Sequence, residues 1–136
     1  MKQILTLKEP INNVSNATDL FNKIKKINIS YEQENLILIC LNTSNQIINT
    51  EVLFKGGLNE CSIDLKTLFR TALLKNSNAI IIAHNHPTGN LNPSEDDFKV
   101  YGKIKEGGKT LNIKVLDSII FNKKSYYSLN DGWCFK

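Results

Sequence analysis

The stretch NAIIIAHNHPTGNLNPSEDD, residues 78–97, decides how the rest of the chain is read. Its first part, 78–84, is a short continuous apolar run of the kind that fills the centre of a sheet covered on both faces. Its second part holds both histidines of the protein, His84 and His86, followed by Pro87, Gly89, Pro93 and an acidic cluster. In a strand, side chains two residues apart leave the same face, whereas on a helix they diverge by about 200°. A strand that ends at these histidines therefore aims two imidazoles at one point and sends Asn85 the other way. Two neutral imidazoles so placed suit a zinc ion, which then needs a third ligand from another segment. The prolines and Gly89 turn the chain back, and Asp97, in the first turn of the helix that follows, can supply a carboxylate oxygen. Three protein ligands leave one tetrahedral position open to water, the arrangement of a catalytic zinc.

The same residues admit plainer readings. Histidine pairs spaced H-x-H arise by chance on surfaces, and Ser94-x-x-Asp97 also matches a capping box, in which the two side chains serve only the helix N-terminus. Asn92-Pro93 offers a competing cap, with Asn at the N-cap and Pro at the first helical position, and that cap would free Ser94 and Asp97 for other work. The contiguous triplet His84-Asn85-His86 does not describe an HNH nuclease, whose three residues are spread over a ββα unit.

Outward from this stretch, residues 16–27 place Leu20, Ile24 and Ile27 at helical spacing, with Asn16 or Thr18 as N-cap. ENLILICLN (34–42) and QIINTEVLF (46–54) flank the turn residues Thr43-Ser44-Asn45 and predict a hairpin that ends at Gly56-Gly57. Residues 65–75 carry Leu65, Leu68, Phe69, Ala72 and Leu73 on one stripe, with Asp64 as cap. A helix over about 94–106 is expected to stop at Gly107-Gly108. NIKVLDSIIF (112–121) and SYYSL (125–129) predict two closing strands joined at Asn122-Lys123-Lys124. Helices alternating with a central sheet make a compact α/β sandwich.

Bulk properties narrow the class. A chain of 136 residues with 41% hydrophobic and 22% charged content is expected to fold as one globular domain. No apolar run nears the ~20 residues of a membrane span, and MKQILTLKEP (1–10) does not read as a signal peptide. The expected compartment is the cytoplasm. Cys40, Cys61 and Cys134 are odd in number and widely spaced, against a disulfide framework or a thiolate zinc knuckle. Cys40, within LILIC, reads as a small buried hydrophobe. The net charge of +4 permits weak nucleic-acid association, yet the lysines are scattered and read as solvated helix faces.

At this point the residues resemble a known family. H-x-H, seven residues, Ser, two residues, Asp is the JAMM signature of the JAB/MPN metallopeptidases, and His84, His86, Ser94 and Asp97 match its spacing without a gap. The finer pattern resembles the RadC-like branch. AHNHPTG (83–89) is similar to its HNHPSG and NPSEDD (92–97) to its PSxxD, while EVLFKG (51–56) is similar to its strand ending in Gly. VLDSII (115–120) followed by YYS (126–128) resembles its closing strands, so the likeness covers about residues 30–130 of a single domain over 1–136.

The resemblance implies a JAB/MPN fold similar to cytidine deaminases, a central mixed β-sheet flanked by helices, with Zn²⁺ on His84, His86 and Asp97. It implies that Ser94 helps stabilise an oxyanion and that a glutamate at the start of the first sheet strand acts as general base. Glu34 stands where that residue is expected; Glu51 is read as opening the second hairpin strand, and Glu32 lies two residues early. The implied reaction is hydrolysis of a peptide-like amide in a peptide or protein substrate. Zinc would lower its water's pKa toward ~7, and Glu34 would pass the proton to the leaving amine. The alternative is a non-catalytic binding module acting with DNA-processing or mobile-element proteins; the RadC name's link to DNA repair is an analogy at the level of the fold. A purely structural zinc is disfavoured because the site keeps an open position.

The chain departs from the family in three ways. Thr88 stands for the usual Ser, Ser118 follows Asp117 where the family generally has Asp-His, and the N-terminal helix-hairpin-helix segment of fuller RadC proteins is not expected here. Deaminase chemistry is excluded, because no P-C-x-x-C supplies thiolate ligands.

Overall fold

The computed structural model describes residues 13–56 and 63–130. In chain order they form α1 (Ala17–Ile24), β1 (Asn35–Leu41), β2 (Ile47–Lys55), α2 (Leu65–Leu74), β3 (Ala79–Asn85), α3 (Glu95–Leu111), β4 (Lys114–Phe121) and β5 (Tyr126–Ser128). Gly57, Cys61 and Cys134 lie outside the described residues.

The sheet has the order β2-β1-β3-β4-β5. β1 runs antiparallel to β2 and β3, β3 and β4 are parallel, and β5 returns antiparallel to β4. It is the mixed sheet of a single α/β domain, as the JAB/MPN fold requires. Every residue of β1 and β3 is buried, which explains the apolar runs LILICL and AIIIA within them. Strand alternation divides them between two cores. Ile37, Ile39, Ile81 and Ala83 pack toward α1 through Leu20, Phe21 and Ile24. Leu36, Leu38, Cys40, Ile80 and Ile82 pack toward α2 and α3 through Leu68, Phe69 and Ile104. Each such aliphatic side chain contributes roughly 1.5–3 kcal/mol when removed from water.

The helix starts follow the predicted caps. The Asn16 side chain accepts from Asp19 N–H at 2.9 Å, and the Asp64 side chain accepts from the N–H groups of Lys66 and Thr67. Of the α2 stripe, Leu68, Phe69 and Ala72 are buried, but Leu73 is 50% exposed.

The expected stop at Gly107-Gly108 is wrong. α3 continues to Leu111, and Asn112 closes it in the left-handed conformation at φ 59°. The two glycines serve close packing instead. A Cβ on Gly107 would lie 2.6 Å from Phe69 Cε2, and one on Gly108 would lie 2.5 Å from the Ile113 carbonyl oxygen. Glu51 also differs from expectation: it lies in the middle of β2, paired with Leu38, because β2 begins at Ile47.

Candidate metal centre

The centre lies at the C-terminal end of β3, the first strand of the parallel β3-α3-β4 unit. His84 is the penultimate residue of β3 and His86 follows its end. Their rings stand 5.2 Å apart between centroids, on the same face as predicted by alternation. Asp97 approaches from the first turn of α3. Its Oδ1 is 2.9 Å from His84 Nε2 and its Oδ2 is 3.2 Å from His86 Nε2. Ligand atoms of the three residues all lie within 4.8 Å of one another.

The cap of α3 departs from the Asn92-Pro93 alternative. Ser94 is the N-cap: its Oγ accepts from Asp97 N–H at 3.1 Å, and its own N–H donates to Asp97 Oδ2 at 2.8 Å. This reciprocal box satisfies two backbone N–H groups, whereas an Asn92 cap would leave Asp97 too far along the helix to return the bond. Capping does not withdraw Asp97 from the histidines, because its second oxygen remains directed at His84. Sequence reading had set the two roles against each other; the carboxylate performs both.

The site's electrostatics follow from this geometry. Burial pushes the Asp97 carboxyl up, but the hydrogen bond to His84, the Ser94 N–H and the nearby charge of His84 and His86 outweigh burial. The carboxyl is held well below the usual carboxylate range. His86 Nδ1 lies 2.7 Å from the Asn90 carbonyl oxygen, which can only accept, so Nδ1 carries the proton and Nε2 is the nitrogen left for a ligand. Both ring nitrogens of His86 thus face oxygens. Two imidazole nitrogens and a carboxylate, one imidazole oriented by a backbone carbonyl, fit a divalent cation that takes nitrogen and oxygen ligands.

Residues 12–133 match the family model of the RadC-like JAB domain. The chain belongs to the RadC-like JAB domain family. A UPF0758 protein of Methanosarcina barkeri is 38% identical over 125 residues, covering 92% of this chain and 55% of its own length. One of Staphylococcus haemolyticus is 36% identical over 116 residues, 85% of this chain and 51% of its own. One of Clostridium perfringens is 41% identical over 99 residues, 73% of this chain and 44% of its own. The RadC-like chain therefore spans about half the length of the curated relatives it matches.

Within this RadC-like domain, Glu34 is half-buried and immediately precedes β1, with its carbonyl accepting from Gly56 N–H at 2.9 Å. Alternation puts its side chain on the face of Leu36, which pairs with His84. Glu34 is not part of the cluster within 4.8 Å. Glu32 is exposed in the preceding turn.

Four asparagines that sequence reading did not assign to the site hold it in place. Asn85, buried between the histidines and pointing away from them, accepts from Asn35 N–H at 2.9 Å and from Asn35 Nδ2 at 3.1 Å. Its Nδ2 donates to Gln33 O at 3.0 Å, and Asn35 Nδ2 also reaches Ser30 O at 2.8 Å. These bonds tie the segment that carries Glu34 to the strand that carries the histidines. Asn90 orients His86, and Asn122 donates to Gly89 O at 2.9 Å. A polar residue in an otherwise apolar strand end was the only signal available for Asn85. Asn90 and Asn122 read as ordinary turn residues.

Ser118, the departure noted above, is buried beside the centre, and its Oγ meets no partner among the described residues. With Leu36, Ile63, Ile82, His84, Asp97 and Val100 it lines a cavity of about 10 Å³, room for about one water. Among the described residues no helix is long and apolar enough to cross a membrane.

Proposed function

We propose that this domain is a zinc-dependent metallopeptidase or isopeptidase that hydrolyses a peptide-like amide. The observation that carries this reading is the convergence of a ring nitrogen of His84, one of His86 and an Asp97 oxygen within 4.8 Å at the end of a sheet strand. His84, His86 and Asp97 would hold the ion, and zinc, when bound, supplies Lewis acidity at the open position.

The remaining work falls to the chain. Glu34, at the start of β1 on the histidine face, accepts a proton from the attacking water on its carboxylate. It then returns that proton to the leaving amine nitrogen. Ser94 Oγ spends its lone pair on Asp97 N–H and keeps its O–H, which donates to the oxyanion as the carbonyl becomes tetrahedral. Asn85 and Asn35 keep the base and the histidines in one frame.

Metal content by elemental mass spectrometry, on protein purified without nickel, tests the first part. The expected result is about one zinc per chain in the wild type and loss in His86→Ala. Hydrolysis of a quenched-fluorescence peptide library tests the second. Glu34→Gln should keep the zinc and lose activity by roughly 10²–10⁴-fold. No metal in the wild type after zinc addition would overturn the peptidase reading.

A further inference from the structure

We infer that Asn122, in the turn between β4 and β5, is a positioning residue for the metal ligand His86. The inference rests on the metal-site reading above and deepens it. Asn122 and His86 are 36 residues apart in sequence. Three linked pieces of geometry connect them.

First, the orientation of the Asn122 amide is set by its neighbours. Its Oδ1 accepts from the N–H groups of Lys124 and Ser125, each at 2.8 Å, as in an Asx-turn. Its Nδ2 therefore faces the Gly89 carbonyl, at 2.9 Å, and that oxygen can only accept. Second, Gly89 needs such an anchor. It sits at φ +80°, the left-handed region that glycine enters with the widest backbone freedom, and its carbonyl follows a tight turn. Its N–H already closes the turn onto His86 O at 2.8 Å. Holding the carbonyl as well fixes the peptide plane that leads into Asn90. Third, the next carbonyl along, that of Asn90, is the one 2.7 Å from His86 Nδ1. The proton on Nδ1, and with it the free Nε2, depends on that carbonyl staying in place.

Asn122 is partly buried, and its side chain bonds Gly89, Lys124 and Ser125. Its effect on the centre passes through the turn 86–90. Groups bonded directly to a metal-ligating histidine typically change metal affinity by about 10–100-fold, and Asn122 acts one step behind such a group, so the low end of that range applies.

Asn122→Asp separates this role from a structural one. The carboxylate keeps both acceptor bonds of the β4–β5 turn but cannot donate to Gly89 O. Asn122→Ser is the second variant: a serine still caps the turn but is one atom too short to reach Gly89. Two readouts are needed on the full chain, zinc affinity by chelator competition and the ¹⁵N–¹H signature of the His86 ring in metal-free protein. The expected result is a thermal midpoint close to wild type, about tenfold weaker zinc binding and loss of the hydrogen-bonded Nδ1–H signal in both variants. Wild-type zinc affinity together with an unchanged Nδ1–H signal in either folded variant overturns the inference. A wild-type protein that binds no zinc overturns the metal-site reading instead, and the His86 ring signal in the metal-free variants then decides this one by itself.

Discussion

Asp97 Oδ1 lies 2.9 Å from His84 Nε2, although one residue opens a helix and the other ends a strand. The approach works because Asp97 is the third residue of a capping box whose reciprocal bond pins its other oxygen to Ser94 N–H. A cap that is worth about 1 kcal/mol to a helix here also sets the direction in which a candidate metal-ligating carboxylate points.

Asp97→Asn is expected to lose metal binding by at least about tenfold, since a neutral amide oxygen replaces a carboxylate ligand. It should also change the acid response. The folded-state pKa of Asp97 is depressed, so its contribution to stability is present above the ordinary carboxylate value and is lost as pH falls through the folded-state value. Urea midpoints of metal-free protein measured from neutral to acid pH should fall less steeply in the variant. Equal slopes would show that Asp97 does not couple to folding.

Gly108→Ala would normally be expected to strengthen a helix by about 1 kcal/mol. Here the new Cβ would meet the Ile113 carbonyl oxygen at 2.5 Å and Val115 Cγ2 at 2.6 Å. The helix and β4 would have to separate, at a cost of about 1–3 kcal/mol. Gly107→Ala meets the Phe69 ring first, a side chain rather than backbone, and should cost less. Chemical denaturation of the two variants gives the order directly.

Tyr101, only 6% exposed on α3, has its phenol pushed up to about 12 by burial and by the Asp117 carboxylate. The neutral form is the one the fold accepts. Stability from this group is complete below pH ~10, where the unfolded chain begins to ionise, and is lost as pH rises to the folded value. Wild type should lose about 2–3 kcal/mol more than Tyr101→Phe between these limits. Parallel alkaline curves would refute the assignment.

Ser118→Ala removes a buried hydroxyl that has no partner among the described residues. The expected effect is a gain of about 1 kcal/mol, the desolvation penalty of an unpaired group. A loss of stability would mean that the hydroxyl is bonded in solution, with a water in the adjoining cavity as the partner.

The residue types and their periods determined the elements of this protein. Unbroken apolar runs marked β1 and β3, Asn16 and Asp64 marked two helix starts, and the two-residue period put His84 and His86 on one face. These are local rules, acting over a few residues. Sequence alone could not decide whether Gly107-Gly108 ended α3 or lay within it, because the answer depends on Phe69 and Ile113, which reach the glycines only after the layers pack. Nor could it decide whether Asp97 capped a helix or faced the histidines, since it does both once β3 and α3 are held side by side. The same holds for Asn85 and Asn122. Their bonds cross 50 and 33 residues of chain, and which carbonyl or amide a turn asparagine finds is set by the tertiary fold that brings the partner within reach.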